Sequence, residues 1–152
     1  MTASAHAATG ALLAVVIDKP ILALPVAFLS HFALDAIPHF GYPGHGGFGP
    51  ALKHRTSKVV AVADPLLVIL LFGLLAYYSA DVYVYAAALL AASPDIEWFV
   101  ALFFYERRNK RPPRSPIYSV HANIQWMERP SGLWVDGFVY IAAAYLISQS
   151  LK

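Results

Sequence analysis

Two long apolar runs, Val59 to Tyr78 and Val82 to Tyr105, constrain this chain more than anything else in it. Each matches the roughly 20 mostly apolar residues, within about 17–25, that a helix needs to cross a bilayer. Three shorter stretches accompany them. Thr2 to Ile17 ends at Asp18-Lys19-Pro20, Ile21 to Ile37 ends at Pro38, and Leu133 to Ser148 closes the chain. The shorter ones can be tilted against neighbours, half-inserted or re-entrant, so five spans is a working count. Composition agrees: 59% of the 152 residues are hydrophobic and 13% charged, against about 45–50% and 25% in soluble domains. The expectation is one integral membrane domain over residues 1–152. Its fold class is all-α, a polytopic membrane helix bundle of about five apolar helices plus one interfacial amphipathic helix.

The segments between the runs differ in kind. His39 to Lys58 contains Gly-Tyr-Pro-Gly-His-Gly-Gly-Phe-Gly-Pro around His45, and its glycines and prolines disfavour a regular element. Glu106 to Gly132 is basic and broken by prolines. Within it, Ile117 to Met127 reads as a short amphipathic helix whose Tyr118, Trp126 and Met127 suit a membrane interface. With five spans these two segments share one side, carrying Lys53, Arg55, Lys58, Arg107, Arg108, Lys110, Arg111, Arg114 and Arg129; the other side holds only Lys19 and Lys152. Basic loops stay cytoplasmic, so the N-terminus is expected inside and the C-terminus outside, in the cell's inner membrane. The start, MTASAHAATG, lacks a basic n-region and does not read as a cleaved signal peptide. A net charge of +2 gives no reason to expect a nucleic-acid partner. The absence of cysteine excludes disulfides and thiolate metal ligands.

Acids and bases are distributed unequally. None of the eleven Lys and Arg residues falls within an apolar stretch, whereas five of the nine carboxylates do: Asp35, Asp64, Asp95, Glu97 and Asp136. His6 and His31 lie there too, with His39 just beyond the second stretch. A carboxylate at a helix centre costs about 2.5–3.5 kcal/mol in the membrane, so these groups call for positive charge, from a metal ion or from protons. At 1.5 Å per residue Asp64 and Asp136 sit roughly 9 and 6 Å inside their spans, and Asp95 is deeper. The orientation set by basic residues alone places nearly every acid and histidine, His121 included, in the cytoplasmic half.

Local spacing narrows the set. His31 and Asp35 are i, i+4 on one helix face, and His39 continues that face if the helix survives Pro38, which tends to kink or end it. Ser93-Pro94-Asp95 interrupts the fourth run, and Asp64-Pro65 is a similar place; freed carbonyls in a membrane helix are tolerated mainly where they are buried or line a polar cavity. Each residue also has a plainer explanation. His31 and Asp35 can simply hydrogen-bond inside a bundle. Asp95 can cap a helix after a break, and Asp136 can complement a helix dipole from the first turn. Glu97, two residues from Asp95, faces away along a helix and can pair with an arginine. His6 lies in a small-residue helix suited to close packing. His45 and His54 read as loop residues.

At these residues the chain resembles a family of small inner-membrane metal-dependent hydrolases, distantly similar to zinc-dependent phospholipase C and related nucleases. The matching pieces are His6-Ala-Ala-Thr-Gly, Ser30-His31-Phe-Ala-Leu-Asp35-Ala-Ile-Pro38-His39, Asp64 heading a long apolar helix, Ser93-Pro94-Asp95, and His121 before a final apolar helix. They occur in that order over most of the chain, and the His31 to His39 string is the most specific. The late segment departs from the pattern: relatives often carry a second histidine or an HR/HS pair where this chain has His121-Ala-Asn123-Ile-Gln125.

The leading expectation is a metal centre opening toward the cytoplasmic leaflet, with His6, His31, Asp35, His39, Asp64, Asp95 and His121 as candidate ligands. Nitrogen and oxygen donors suit zinc first and also admit manganese or iron, and this many donors suffice for one or two ions. A divalent ion lowers the pKa of a coordinated water toward about 7, which supplies a hydrolytic nucleophile. Asp64 or Asp136 is the candidate general base. A site at head-group level implies membrane lipids as surroundings and a lipid-type phosphoester as substrate, with the stretch around His45 as a lid. Two rival classes remain: a proton or ion transporter, whose relays also use intramembrane acids and histidines, and a structural membrane protein whose bundle a metal stabilises. Oligomeric state is not legible.

Overall fold

The computed structural model describes residues 1–42, 51–105, 108, 110 and 115–152. The stretch around His45, expected as a lid, and much of the basic segment after Tyr105 lie outside the described residues. The architecture is all-α: α1 (Ala3–Ile17), α2 (Pro20–Asp35), α3 (Arg55–Tyr77), α4 (Val82–Ala92), the short α5 (Ile96–Val100), α6 (Pro116–Ile124) and α7 (Leu133–Ser150). Two residue pairs form the only strand pairing among the described residues: β1 (His39–Phe40) runs parallel to β2 (Glu128–Arg129).

Alpha-1 is the axis of the bundle. It packs against α2, α3, α4 and α7, and Ala5, Ala8, Ala11 and Ala14 have no exposed surface. Its composition explains the position. Alanine is the strongest helix former, and small side chains let neighbouring backbones approach closely in membrane bundles. Gly10 marks the tightest approach, where an added Cβ would meet the Ala87 carbonyl and the Ala91 Cβ of α4, each at 2.5 Å. Ala23 and Ala27 of α2 and Ala87, Ala88 and Ala91 of α4 continue the same small-residue packing, with Leu71, Leu75 and Ile147 filling the remainder.

Large apolar side chains point outward. Val59, Val62, Leu66, Ile69 and Leu70 on α3 are exposed, as are Trp134, Phe138, Ile141 and Tyr145 on α7. Apolar surface on this scale is unusual in a water-soluble monomer and is ordinary against lipid. Three helical stretches are long and apolar enough to cross a membrane: Arg55–Tyr77, Val82–Tyr105 and Pro130–Ser150. The first two apolar stretches form helices of 15 and 16 residues, about 22–24 Å at 1.5 Å per residue, against a hydrocarbon core of about 30 Å.

Turn chemistry follows the sequence. Alpha-1 ends at Asp18 in the left-handed region, φ 48°, which Asp tolerates better than most residues. Pro20 then opens α2, where its missing N–H costs nothing. At the other end, α2 stops at Asp35, because the residue before Pro38 is pushed out of helical conformation. The face shared by His31 and Asp35 therefore does not continue to His39, which lies in β1. Pro65, by contrast, sits inside an unbroken α3. The 82–105 run is interrupted where Ser93-Pro94-Asp95 falls, by a 3-10 turn between α4 and α5. The expected amphipathic piece is α6, continued by a 3-10 turn at Gln125–Met127 whose Trp126 is exposed.

Candidate metal centre

Side-chain contacts gather the start of α1, the end of α2, the end of α4 and the middle of α6 around one carboxylate, Asp35. It is fully buried. His121 Nε2 lies 2.7 Å and His31 Nε2 3.3 Å from Asp35 Oδ2. His6 Nε2 lies 3.1 Å from Oδ1, which also receives the Met1 amino group. Asp95 completes the group, its Oδ1 3.9 Å from His31 Nε2 and 3.7 Å from His121 Nε2. Side chains of the three histidines and Asp35 are at most 1% exposed, while that of Asp95 is 15% exposed. Asp95 is therefore the open side of the cluster.

The local sequence sets these positions. His31 donates its Nδ1–H to the Ala91 carbonyl at 2.8 Å. A carbonyl can only accept, so the bond places a proton on Nδ1 and leaves Nε2 as the nitrogen facing Asp35, Asp95 and His121. Pro94, three residues on, has no N–H to offer Ala91 in the 3-10 turn, so the interruption in the run both exposes this acceptor and delivers Asp95. His6 stacks on His31 with ring centroids 3.8 Å apart. Gln125, one turn after His121 on the same piece of chain, brings its side-chain nitrogen to 2.8 Å from His121 Nε2.

The donors converge as metal ligands do. One ring nitrogen offers either one N–H or one lone pair, yet His121 Nε2 has Asp35 Oδ2, Gln125 Nε2 and His31 Nε2 at 2.7, 2.8 and 3.3 Å. A tetrahedral site with bonds of 2.0–2.1 Å has ligand atoms about 3.3 Å apart. His31 Nε2 stands 3.3 Å from both His121 Nε2 and Asp35 Oδ2. Two overlapping groups have metal-compatible spacing, His31 with Asp35 and His121, and His6 with His31 and Asp95. Nδ1 of His6 and Nδ1 of His121 are buried without a hydrogen-bond partner, which normally costs about 1–3 kcal/mol each. The donor set thus fits a divalent ion.

The remaining candidates lie elsewhere. Asp64 accepts the backbone N–H groups of Ala3 at 3.0 Å and Ser4 at 2.8 Å. Asp136 accepts those of Thr2 at 2.8 Å and Phe40 at 3.2 Å. The sequence-based search for positive charge considered metal and protons; these two acids have a third source, the orphan amides at a helix start, which carry partial positive charge. His39 donates Nδ1–H to the Ile37 carbonyl at 2.8 Å, and its buried Nε2 lies 4.0 Å from Glu128 Oε1. Burial pushes the His39 pKa below its ordinary value, which favours the neutral ring. Glu97 is not paired with an arginine among the described contacts but accepts a hydrogen bond from the Ser115 hydroxyl.

Two contributors escaped the sequence reading. Gln125 carries a signal, its i, i+4 spacing from His121, but a lone glutamine is a weak one. The Ala91 carbonyl carries none, since any residue supplies a carbonyl. An apolar cleft lies between α3 and α7 against the first turn of α1, with Val60, Leu67, Leu133 and Tyr140 in its wall and Asp64 and Asp136 at its polar end. No protein-family profile, curated protein or solved structure matches this chain.

Proposed function

We propose that the chain is a membrane-embedded metal-dependent hydrolase acting on a lipid-type phosphoester at the cytoplasmic leaflet. One observation carries the reading: His6, His31, Asp35, Asp95 and His121, from four separate segments, place their donor atoms in two overlapping groups of metal-compatible spacing that share His31. The resemblance to the inner-membrane hydrolase family rests on the same residues and points the same way. Zinc is the first choice, with manganese or iron also suited to nitrogen and oxygen donors; the two groups share His31, whose Nε2 can bind one ion at a time, so they are alternative donor sets for one ion.

The chain's own groups have distinct tasks in this reading. His31 is aimed by the Ala91 carbonyl, the type of outer hydrogen bond that orients metal-ligating histidines. Asp35 supplies the buried negative charge. Asp95, the least enclosed member, is the group placed to take a proton. Asp64 and Asp136, expected as bases, have oxygens committed to backbone amides. A divalent ion bound here would polarise a phosphoryl oxygen and activate water. The apolar cleft between α3 and α7 suits a hydrocarbon chain.

The proposed topology has five membrane crossings, with the N-terminus and both basic segments cytoplasmic. The test is turnover. Protein in nanodiscs, loaded with zinc, manganese or iron in turn, is offered a panel of phospholipids and polyprenyl phosphates. Metal-dependent release of phosphate or a head group supports the reading. A stable, metal-loaded protein that turns over none of the panel leaves the metal with a structural task and sinks the hydrolase assignment.

A further inference from the structure

We infer that Asp64, assisted by Asp136, is a positioning residue for His6: a cap supplied from neighbouring helices that sets where α1 begins. The inference rests on the metal-centre reading above and deepens it. Alpha-1 starts with Ala3, and Thr2, at the capping position, makes no side-chain bond to the helix's own amides. Two carboxylates from α3 and α7 do this work. Asp64 takes the Ala3 and Ser4 N–H groups with one oxygen each, and Asp136 takes that of Thr2. The helix's own ladder begins at the His6 N–H, which bonds the Thr2 carbonyl at 3.2 Å.

Depth explains why the cap must come from outside. Asp64 lies nine residues beyond Arg55, the first residue of α3, or about 14 Å along that helix. The first turn of α1 therefore lies beside the third turn of α3, with Thr2, Ala3 and Asp64 half-buried between the helices. In a membrane each unsatisfied backbone group costs several kcal/mol. A carboxylate is the strongest acceptor available, and it also complements the positive end of the helix dipole. The cap fixes both the height and the rotation of α1, because each Asp64 oxygen holds a different amide. His6 is two residues after Ser4, and its ring is held by its stack on His31 and its contact with Asp35. Holding Ser4 thus holds His6 against the cluster. Asp64 itself is not among the residues whose donor atoms come together for an ion.

The experiment compares Asp64→Ala and Asp64→Asn with wild type in nanodiscs. Cobalt(II) is the probe, read by stoichiometry, by chelator competition and by its visible absorption band. His6 ring nitrogens are followed separately by NMR in metal-free protein, with His54 as the reference. The expected result is unchanged stoichiometry with affinity lowered about 10–100-fold in Asp64→Ala, the usual range for outer-shell losses. The cobalt band and the metal-free His6 signals should shift, while those of His54 stay. Asp64→Asn, which keeps an oxygen acceptor, should recover part of each change. Loss of a whole equivalent of cobalt in both variants would make Asp64 a ligand and overturn the inference. So would an unmoved cobalt band together with unmoved His6 signals. If wild type takes up no cobalt, the metal reading fails by itself, and the metal-free His6 signals still decide whether Asp64 positions that ring.

Discussion

His31 Nδ1 and the Ala91 carbonyl oxygen are 2.8 Å apart, and that bond determines which face of the imidazole is available to everything else. With the proton on Nδ1, Nε2 is the nitrogen that faces Asp35, Asp95 and His121. Two carboxylates and three histidines then share a pocket in which the Met1 amino group on Asp35 is the one non-histidine cation among the described ion pairs. Ligation uses one ring nitrogen, and this bond reserves Nε2 of His31 for it.

Replacement of His31 or Asp35 should therefore do different damage. His31→Ala removes the donor common to both metal-compatible groups, so zinc content should fall to background while the helices persist. Asp35→Ala leaves three histidines without their shared acceptor. Breaking a fully buried pair costs about 3–5 kcal/mol, so this variant should lose both metal and several kcal/mol of stability. Elemental analysis and thermal melting of the two variants in one detergent separate the effects. Equal metal content in His31→Ala and wild type rules out His31 as a ligand.

Metal removal should be felt as instability. The buried Nδ1 atoms of His6 and His121 and the crowded Nε2 of His121 leave the cluster under-satisfied on its own. A ligand that binds only the folded form adds about 2.7 kcal/mol at a hundred times its Kd. Melting followed by circular dichroism should shift down on chelation and recover on adding back zinc. Identical melting before and after chelation would mean that protons balance these acids.

The glycines give a test of the packing that needs no metal. A Cβ on Gly132 would lie 2.0 Å from the His39 carbonyl carbon, and one on Gly10 would lie 2.5 Å from the Ala87 oxygen. Both meet backbone, which cannot swing away. Gly73 and Gly137 have nothing within 4 Å of the same point. Overpacking costs about 1–3 kcal/mol, whereas Gly to Ala in an open helix gains about 0.5–1 kcal/mol. Gly10→Ala and Gly132→Ala should melt lower than wild type, and Gly73→Ala and Gly137→Ala at or above it. Wild-type melting in all four would disprove the close approaches of α1 to α4 and of β1 to the start of α7.

Much of this arrangement is legible in the chain. Apolar length locates α3, α4 and α7, and Pro94 announces the interruption that carries Asp95. The basic residues separate the two ends, so His6, His31, Asp35, Asp95 and His121 can be placed at one of them before any contact is known. What is not legible is pairing. Asp64 reads as an acid stranded in an apolar run, because nothing nearby in sequence reveals that the amides of Ala3 and Ser4 will meet it. The amides of Thr2 and Phe40 that meet Asp136 are hidden for the same reason. Alpha-1 reads as the weakest span because it is short, yet its alanines and Gly10 make it the most enclosed helix. His39 looks continuous with His31 only while the helix is imagined to pass Pro38.

The ends of the bundle make a final, separate prediction. The contacts of Asp35, Asp64 and Asp136 with residues 1–6 put the start of α1, the end of α2 and the starts of α3 and α7 at one end. Lys53 and Arg129 are exposed in the connections at that end. Lys19 and Asp81 are exposed in the short turns at the other. The excess of basic residues belongs to the first end, and basic connections stay cytoplasmic. Because the chain has no cysteine, single introduced thiols report cleanly. In intact cells Lys53→Cys and Arg129→Cys should resist a membrane-impermeant maleimide and react only after permeabilisation. Lys19→Cys and Asp81→Cys should react at once. External labelling at Lys53→Cys or Arg129→Cys would turn the molecule over and place the histidine cluster in the opposite leaflet, where a cytoplasmic-leaflet substrate could not reach it.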